Sequence, residues 1–169
     1  MEWHVIEQEK NCKYGEKLYL SDNIYFHENS SSDSGCLKKE VLDVLRQADI
    51  CLLIGVLQYF PSYSRLLKEI AASGVEYIFV TRTFITKNTN TFYTRYYVAP
   101  GTGKYKDVIL ADVTTAAINY DEFFQYMQSF GYCCCLDIYQ EGAFAELRSL
   151  PEPYNKCEYR DMIFRSNSC

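Results

Sequence analysis

The residue types that could support chemistry begin near the start of this 169-residue chain. Glu7 ends the β-prone run WHVIE, and a carboxylate at a strand end can accept hydrogen bonds from a pair of ligand hydroxyls. His4 lies inside this run, and His27 follows a second β-prone run, Ile24 to Phe26, where its imidazole could act as a base. The two histidines have no third partner at metal-ligand spacing, so we expect no metal site.

A second group of candidates follows the apolar run Ile50 to Ile54. Gly55 would let a backbone approach a ligand closely, Gln58 could orient a hydroxyl or carboxylate, and Tyr59 could stack on a sugar or a ring. Gly55 and Tyr59 also have plainer explanations. Gly55 also suits a tight strand-to-loop transition, and one tyrosine among sixteen is weak support for a site.

A third candidate, Arg82, follows the next apolar run, Tyr77 to Val80. Its guanidinium could bind an anionic acceptor, and a surface ion pair is the competing interpretation. Between the two apolar runs lies a helical stripe of Tyr63, Leu66, Leu67 and Ile70, with Pro61 before it and Gly74 after it. This pattern predicts one βαβ unit, in which ligands bind at the carboxyl ends of the strands.

The elements that must position these residues follow from similar patterns. Leu37, Val41, Val44 and Leu45 predict a helix, with Asp33 or Ser34 as its cap, whereas Asn11 to Leu18 is polar with Gly15 as a breaker. The apolar runs do not alternate with polar residues, which predicts strands buried on both faces of a parallel sheet.

The second half of the chain predicts an insertion and then an antiparallel ending. Thr91 to Val98 and Val108 to Val113 are β-like runs within the insertion. Asn119 and Glu122 resemble a capping box before another helix. The last two strands, Tyr132 to Tyr139 and Tyr159 to Phe164, have no helix between them and should be antiparallel. We therefore predict a single α/β domain over residues 1–169, with a mostly parallel sheet.

The composition narrows the classes of function. A net charge of −5, without a cluster of Lys or Arg longer than two residues, argues weakly against nucleic-acid binding. No stretch approaches the roughly eighteen apolar residues of a membrane span, and the N-terminus has no secretory signal pattern, so we expect a cytoplasmic location. The eight cysteines include no C-x-x-C pair, and we expect reduced core thiols.

The order of these elements resembles class I S-adenosylmethionine-dependent methyltransferases. WHVIE is similar to their second strand, ADICLLIGVLQYF to the fourth strand and its corner, and YIFVTRTFI to the fifth. SFGYCCCLDIYQ and YRDMIFR are similar to the last two strands. The pairing of VLQYFPSYSRLL with VTRTFI also resembles a small bacterial group of methyltransferases whose genes accompany those for surface polysaccharides.

The resemblance implies a Rossmann-like fold, S-adenosylmethionine as cofactor, and a small molecule or sugar intermediate as acceptor. It places Glu7 at the ribose hydroxyls, His27 near the adenine, and the corner Gly55, Val56 and Leu57 against the cofactor. It places Gln58, Tyr59 and Arg82 on the acceptor side.

The sequence departs from the family in one respect. The first strand and the glycine-rich loop that cradles the methionine end of the cofactor are not found. In the family strand order 3-2-1-4-5-7-6, this leaves a gap of about 10 Å between strands two and four. We therefore expect a truncated chain that could be inactive, with sheet edges that a homo-oligomer could cover. A non-catalytic interaction or structural module is the alternative function.

Overall fold

A computed structural model describes residues 1–18, 21–29, 36–98, 111–139 and 150–167. Its elements alternate between strands and helices in the first half and form an α/β fold. In chain order they are β1 (Trp3–Glu7), α1 (Glu9–Leu18), β2 (Ile24–Glu28), α2 (Lys39–Leu45), β3 (Ile50–Ile54), a 3₁₀ turn (Leu57–Tyr59), α3 (Tyr63–Ala72), β4 (Tyr77–Thr86), β5 (Phe92–Val98), β6 (Ala111–Asn119), α4 (Tyr120–Ser129), β7 (Tyr132–Tyr139) and β8 (Cys157–Ser166).

The main sheet contains the run β3-β4-β8-β7, in which β3 is parallel to β4 while β8 is antiparallel to both β4 and β7. The antiparallel ending predicted from the sequence is therefore confirmed. β1 and β2 pair with each other in parallel as a separate two-stranded sheet. Within the described ranges, β1 pairs only with β2, and β3 pairs only with β4.

The insertion forms a β5-β6 hairpin that joins the main sheet through β4. β4 is long enough for two partners on the same side: its first five residues pair with β3, and Ile85 and Thr86 pair with the end of β6. The hairpin therefore continues the sheet where β3 ends. Part of the connection, including Val108 to Leu110 of the predicted β-like run, lies outside the described residues.

The segment Asn11 to Leu18 is part of helix α1, so the expectation of a polar break at Gly15 was wrong. Gly15 is buried in this helix, and a Cβ built on it would lie 2.2 Å from a ring carbon of Phe26. The glycine lets α1 pack closely against β2, and this contact outweighs the low helix propensity of glycine.

The helix ends show which capping predictions were correct. The Asn119 side chain accepts a hydrogen bond from the backbone N–H of Glu122 at 2.8 Å, so the predicted N-cap of α4 is confirmed. Gly74, with φ +82, follows α3 as expected of a C-terminal glycine. α2 begins at Lys39 with Lys38 as its N-cap residue, so the predicted cap at Asp33 or Ser34 was wrong; those two residues lie outside the described ranges.

Helices α2, α3 and α4 all pack on one face of the main sheet and form a single core with it. Its fully buried members include Val41 of α2, Leu67 and Ile70 of α3, Phe123 and Met127 of α4, and Ile78, Val80, Met162 and Phe164 of the sheet. The predicted core thiol Cys51 is buried here as well. This face supplies the hydrophobic stabilisation of the domain.

The opposite face of the same four strands is largely exposed on the outer strands β3 and β7 and half-buried at the centre of the sheet, and we call it the open face. It consists of Ile50, Leu52, Ile54, Tyr77, Phe79, Asp161, Ile163, Arg165, Cys133, Leu136 and Ile138, assigned from strand register and alternation. The expectation that the strands are buried on both faces was therefore wrong for β3, where exposed and buried residues alternate. A strand is buried on both faces of its sheet only if other elements, such as helices, cover both faces.

Two further findings bear on the class of protein. None of the described helices is long and apolar enough to cross a membrane. The thiols of Cys12, Cys51 and Cys157 are buried, whereas those of Cys133 and Cys135 are exposed. The prediction of reduced core thiols therefore holds for three of them and fails for the two exposed residues of β7.

Candidate functional site

The corner that follows β3 contains two residues in the left-handed backbone region. Gly55 has φ +61 and donates its N–H to the carbonyl of Thr81 at 2.8 Å. Arg82 has φ +51, and its N–H is bound by Asp161 Oδ1 at 2.8 Å. A non-glycine residue in this region costs roughly 1–2 kcal/mol. The Asp161 carboxylate helps to hold Arg82 there, at an irregularity in the β4–β8 register.

The Gln58 side chain forms hydrogen bonds to the backbone of both residues. Its side chain is 4% exposed, and Nε2 donates to the carbonyls of Gly55 at 3.3 Å and Arg82 at 3.4 Å. Oε1 is buried and has no hydrogen-bond partner within the described structure. Because Nε2 donates to these two carbonyls, the Gln58 side chain positions the backbone of the corner. Oε1 is the atom that could accept a hydrogen bond from a ligand or a water molecule.

The exposed side of the corner carries Val56, Tyr59 and Arg82, whereas the Leu57 side chain is fully buried in the core. Tyr159 of β8 lies close to this group. Burial raises the pKa of the Tyr159 phenol, Tyr59 raises it further, and the positive charge of Arg82 lowers it. A cation beside two phenols can bind an anionic or ring-bearing molecule by ion pairing and stacking.

Glu7 occupies the carboxyl end of β1, directly before α1. Its Oε2 accepts hydrogen bonds from the Gln8 N–H at 3.1 Å and from Asn11 Nδ2 at 3.0 Å. Its backbone carbonyl accepts from the Asn29 N–H at 2.9 Å. The carboxylate is exposed, and Oε1 makes no hydrogen bond to the described part of the chain. The group is therefore oriented by its neighbours while one oxygen faces solvent.

The two histidines form a pair across β1 and β2. Nδ1 of His4 and Nε2 of His27 lie 2.8 Å apart, and the rings stack with their centroids at 5.1 Å. Burial lowers the pKa of His27, and the positive charge of a protonated His4 lowers it further. One of the two nitrogens must be unprotonated to accept this hydrogen bond. His27 also lines a cleft with Tyr25 and Asp22.

These contacts show which predicted residues the structure brings together. Gly55, Gln58 and Arg82 are in direct contact at one corner, and Ile6 and His27 are register partners at the end of the β1–β2 unit, beside Glu7. Ile6 packs against the same hydrophobic core to which Leu57 belongs. Among the described residues, no cluster of three or more His, Cys, Asp or Glu could hold a metal ion.

Sequence reasoning missed three residues that shape the site: Asn11, Tyr159 and Asp161. Asn11 lies four residues after Glu7, in the first turn of α1, and its amide group donates to the Glu7 carboxylate. This contact was missed because α1 was not predicted from the sequence. Asp161 and Tyr159 reach the corner only through the antiparallel pairing of β8 with β4. The predicted antiparallel pair at the end of the chain indicated that the last strand joins the sheet, but it did not specify which residues of β8 lie opposite Arg82.

Comparisons with known proteins connect this arrangement to a fold. No family model and no curated protein matches the chain. The crystal structure of the N-terminal domain of EvdMO1 with SAH bound matches with a TM-score of 0.59 and 14% identity, over 99% of this chain and 66% of that one. A SAM-dependent methyltransferase from Methanosarcina mazei matches with a TM-score of 0.54 and 12% identity, over 96% and 81%.

A structure described as a pericyclic reaction enzyme also matches, with a TM-score of 0.51 and 11% identity, over 98% of this chain and 36% of that one. The chain thus spans 66% of the EvdMO1 domain and about a third of the pericyclic enzyme. Proteins with the same fold can catalyse different reactions, so the similarity to these structures identifies the fold and not the reaction. Together with the strand order and the antiparallel last pair, it shows that the chain has the Rossmann-like fold of S-adenosylmethionine-dependent methyltransferases.

Proposed function

We propose that this chain binds S-adenosylmethionine and acts in methyl transfer to a small molecule or sugar intermediate. The observation that carries the proposal is the placement of Glu7. In this fold an oriented strand-end carboxylate, with one oxygen facing solvent, ends β1. The corner of Gly55 to Tyr59, with Val56 and Tyr59 exposed, ends β3, which in the family order is separated from β1 by one strand. Ligands bind in this type of sheet at the carboxyl ends of the strands.

The residues present fit one part of the proposed cofactor. The exposed oxygen of Glu7 can accept a hydrogen bond from a ribose hydroxyl, while its other oxygen is held by Asn11. By the family resemblance, His27 would lie near the adenine, and the backbone of Gly55, Val56 and Leu57 would face the cofactor. No residue of this chain is assigned to the methionine end, since the sequence has no glycine-rich loop after a first strand.

The acceptor side is proposed at Tyr59, Arg82 and Tyr159, with Gln58 holding their corner in place. S-adenosylmethionine supplies a methyl group that is already activated, so the protein needs chiefly to align the acceptor with it. A base is required only if the acceptor must lose a proton. The absence of a strong catalytic constellation in the sequence agrees with this type of reaction. The cytoplasm, expected from the sequence, remains a prediction.

A second candidate function is a non-catalytic interaction or structural module. It is favoured by the open face of the sheet and by β3, whose outer edge is unpaired within the described residues and carries no charge, proline or bulge. Natural proteins usually protect such an edge. This candidate predicts normal folding without affinity for the cofactor.

Isothermal titration calorimetry with S-adenosylmethionine and S-adenosylhomocysteine tests the first candidate. We expect saturable binding to the chain, and at least a tenfold loss in Glu7→Gln, which keeps the side-chain size but removes the charge. Glu2→Gln, an exposed acid just before β1, is the matched control and should bind normally. No heat at millimolar ligand would exclude the cofactor proposal and leave the second candidate.

A further inference from the structure

Arg82 differs from four other arginines of the chain in having no acidic partner within the described ranges. Arg46, Arg65, Arg160 and Arg165 each form an ion pair with a carboxylate. The Arg82 side chain is exposed, and its guanidinium forms no ion pair or hydrogen bond with the described part of the chain. Its N–H donors are therefore free to bind a ligand, and their planar fork matches the two oxygens of a carboxylate or phosphate.

The backbone of Arg82 is strained, and the strain would be relieved by another residue type. At φ +51 a non-glycine residue costs roughly 1–2 kcal/mol, which glycine would avoid. Asp161 Oδ1 accepts the Arg82 N–H at 2.8 Å, and Gln58 Nε2 donates to the Arg82 carbonyl at 3.4 Å. The fold thus holds a strained backbone beneath a side chain that has no structural partner. Strained positions of this kind cluster at binding and active sites.

The surroundings of the guanidinium suit a molecule with a ring. A Cβ built on Gly55 would lie 3.7 Å from the Arg82 Cβ, so the absence of a side chain at Gly55 leaves room beside the arginine. The exposed Tyr59 and the half-buried Tyr159 belong to the same corner. Burial raises the pKa of the Tyr159 phenol, Tyr59 raises it further and the charge of Arg82 lowers it, because the three groups lie near one another. A ring can stack on the phenols while an anionic substituent meets the guanidinium.

The charges at the corner match one negative charge better than two. Arg82 supplies one positive charge, and the carboxylate of Asp161 lies beside its backbone. A phosphate monoester carries about −1.5 to −2 at neutral pH, which a single guanidinium next to an acid would not neutralise. A carboxylate carries one charge and still accepts two parallel hydrogen bonds from the guanidinium.

We propose that the methyl acceptor is a ring-bearing monocarboxylate, such as a sugar acid, whose carboxylate binds Arg82 and whose ring stacks on Tyr59 and Tyr159. The role as acceptor rests on the proposed methyl transfer, whereas the carboxylate site does not require the cofactor, since its hydrogen bonds form within the chain itself. Arg82 is then a specificity residue: it selects an acidic molecule over a neutral one with the same ring.

Three compounds that share a pyranose ring test this selection. D-glucuronate carries a carboxylate, D-glucose is neutral, and glucose 6-phosphate carries a phosphate. Ligand-observed NMR titrations of the whole chain, with and without S-adenosylhomocysteine, measure the three affinities. We expect glucuronate to bind at least about tenfold more tightly than either comparison compound, as one charge-assisted pair predicts. Added salt should reduce the difference, because the guanidinium is exposed.

Two variants remove the guanidinium without adding strain. Arg82→Gly and Arg82→Asn both tolerate the left-handed region, so circular dichroism should show that they fold. Each should bind glucuronate at least about tenfold less tightly than the unaltered chain. Arg46→Gln, which removes an exposed arginine after α2, is the matched control and should retain the full affinity.

The outcomes separate this proposal from the proposed function. Equal affinities for the three compounds, tighter binding of the phosphate, no binding of glucuronate at millimolar concentration, or undiminished binding in both Arg82 variants would each overturn the carboxylate site. If S-adenosylhomocysteine binds and the preference for glucuronate is missing, the acceptor class is wrong and the cofactor proposal stands. If the preference is found without cofactor binding, the carboxylate site stands and its role in methyl transfer is wrong.

Discussion

The two faces of the main sheet differ although they share the same strands. On the helix-covered face, Val80 and Phe164 are almost completely buried, whereas on the open face Ile54 and Leu136 each expose 43% or more of their surface. β3 illustrates the difference within five apolar residues, since Cys51 and Leu53 are buried and the other three are exposed. Hydrophobic residue type therefore does not determine burial here; the presence of helices over one face does.

The comparison implies that the packing that stabilises the fold lies on the helix-covered face. The helix-covered face contains the packed aromatic contacts, among them Phe164 with Phe123 at a centroid distance of 5.6 Å. The open face has apolar side chains of similar chemistry but without such partners. Truncation to alanine of adjacent apolar residues on one strand should therefore differ in its effect on the free energy of unfolding.

The largest effect is expected from Phe164→Ala on the helix-covered face. Removing a fully buried phenylalanine should lower the free energy of unfolding by about 3–5 kcal/mol, through lost burial and a cavity. Ile163→Ala, at the adjacent residue on the open face, should cost less, because Ile163 is only half-buried. Urea unfolding at low protein concentration measures both. Equal losses would mean that the open face is also packed.

A second difference between the faces should appear at alkaline pH. Burial raises the pKa of the Cys51 thiol to about 12 and, together with nearby negative charge, that of the Tyr63 phenol to about 12. Since the fold favours the protonated forms, their contribution is complete below the unfolded pKa values, near 8.5 and 10, and is lost as the pH rises toward 12. The slope should approach about 1.4 kcal/mol per pH unit for each group.

Unfolding midpoints measured between pH 8 and the alkaline limit of solubility, about pH 11, check this expectation. Cys51→Val should flatten the first part of the slope, because valine cannot ionise. Labelling with a thiol reagent gives an independent comparison: exposed Cys133 on the open face should react at once, and Cys51 only as the protein unfolds. Rapid labelling of Cys51 in the folded protein would contradict its burial.

The smallest expected effects concern the corner that follows β3, where Gly55 and Arg82 adopt positive φ angles. Arg82→Gly should raise the free energy of unfolding by up to about 1 kcal/mol, because glycine adopts φ +51 without steric cost. Gly55→Ala should lower it by a similar amount, since φ +61 disfavours a Cβ although the nearest atom would be 3.7 Å away. Thermal melts of both variants provide the measurement. Destabilisation by Arg82→Gly would show that the arginine side chain contributes more than its backbone strain costs.

Sequence patterns predicted much of the fold but less of the site. The βαβ unit from β3 to β4, the cap at Asn119 and the antiparallel ending were predicted because each depends on residues close in sequence. Helix α1 was missed because Gly15 disfavours a helix locally, and its compensating contact with Phe26 lies eleven positions away. In the site, Gln58 was predicted to face an acceptor, whereas its amide group holds two backbone carbonyls.

The sequence by itself determined the alternation of strands and helices, their order, and the class of fold they produce, since periodicity and chain connectivity restrict these strongly. Only the tertiary structure decided which face of the sheet the helices cover, that Asp161 holds Arg82 in a left-handed conformation, and that His4 pairs with His27. These features depend on the register between strands that are distant in sequence, and no local pattern specifies that register.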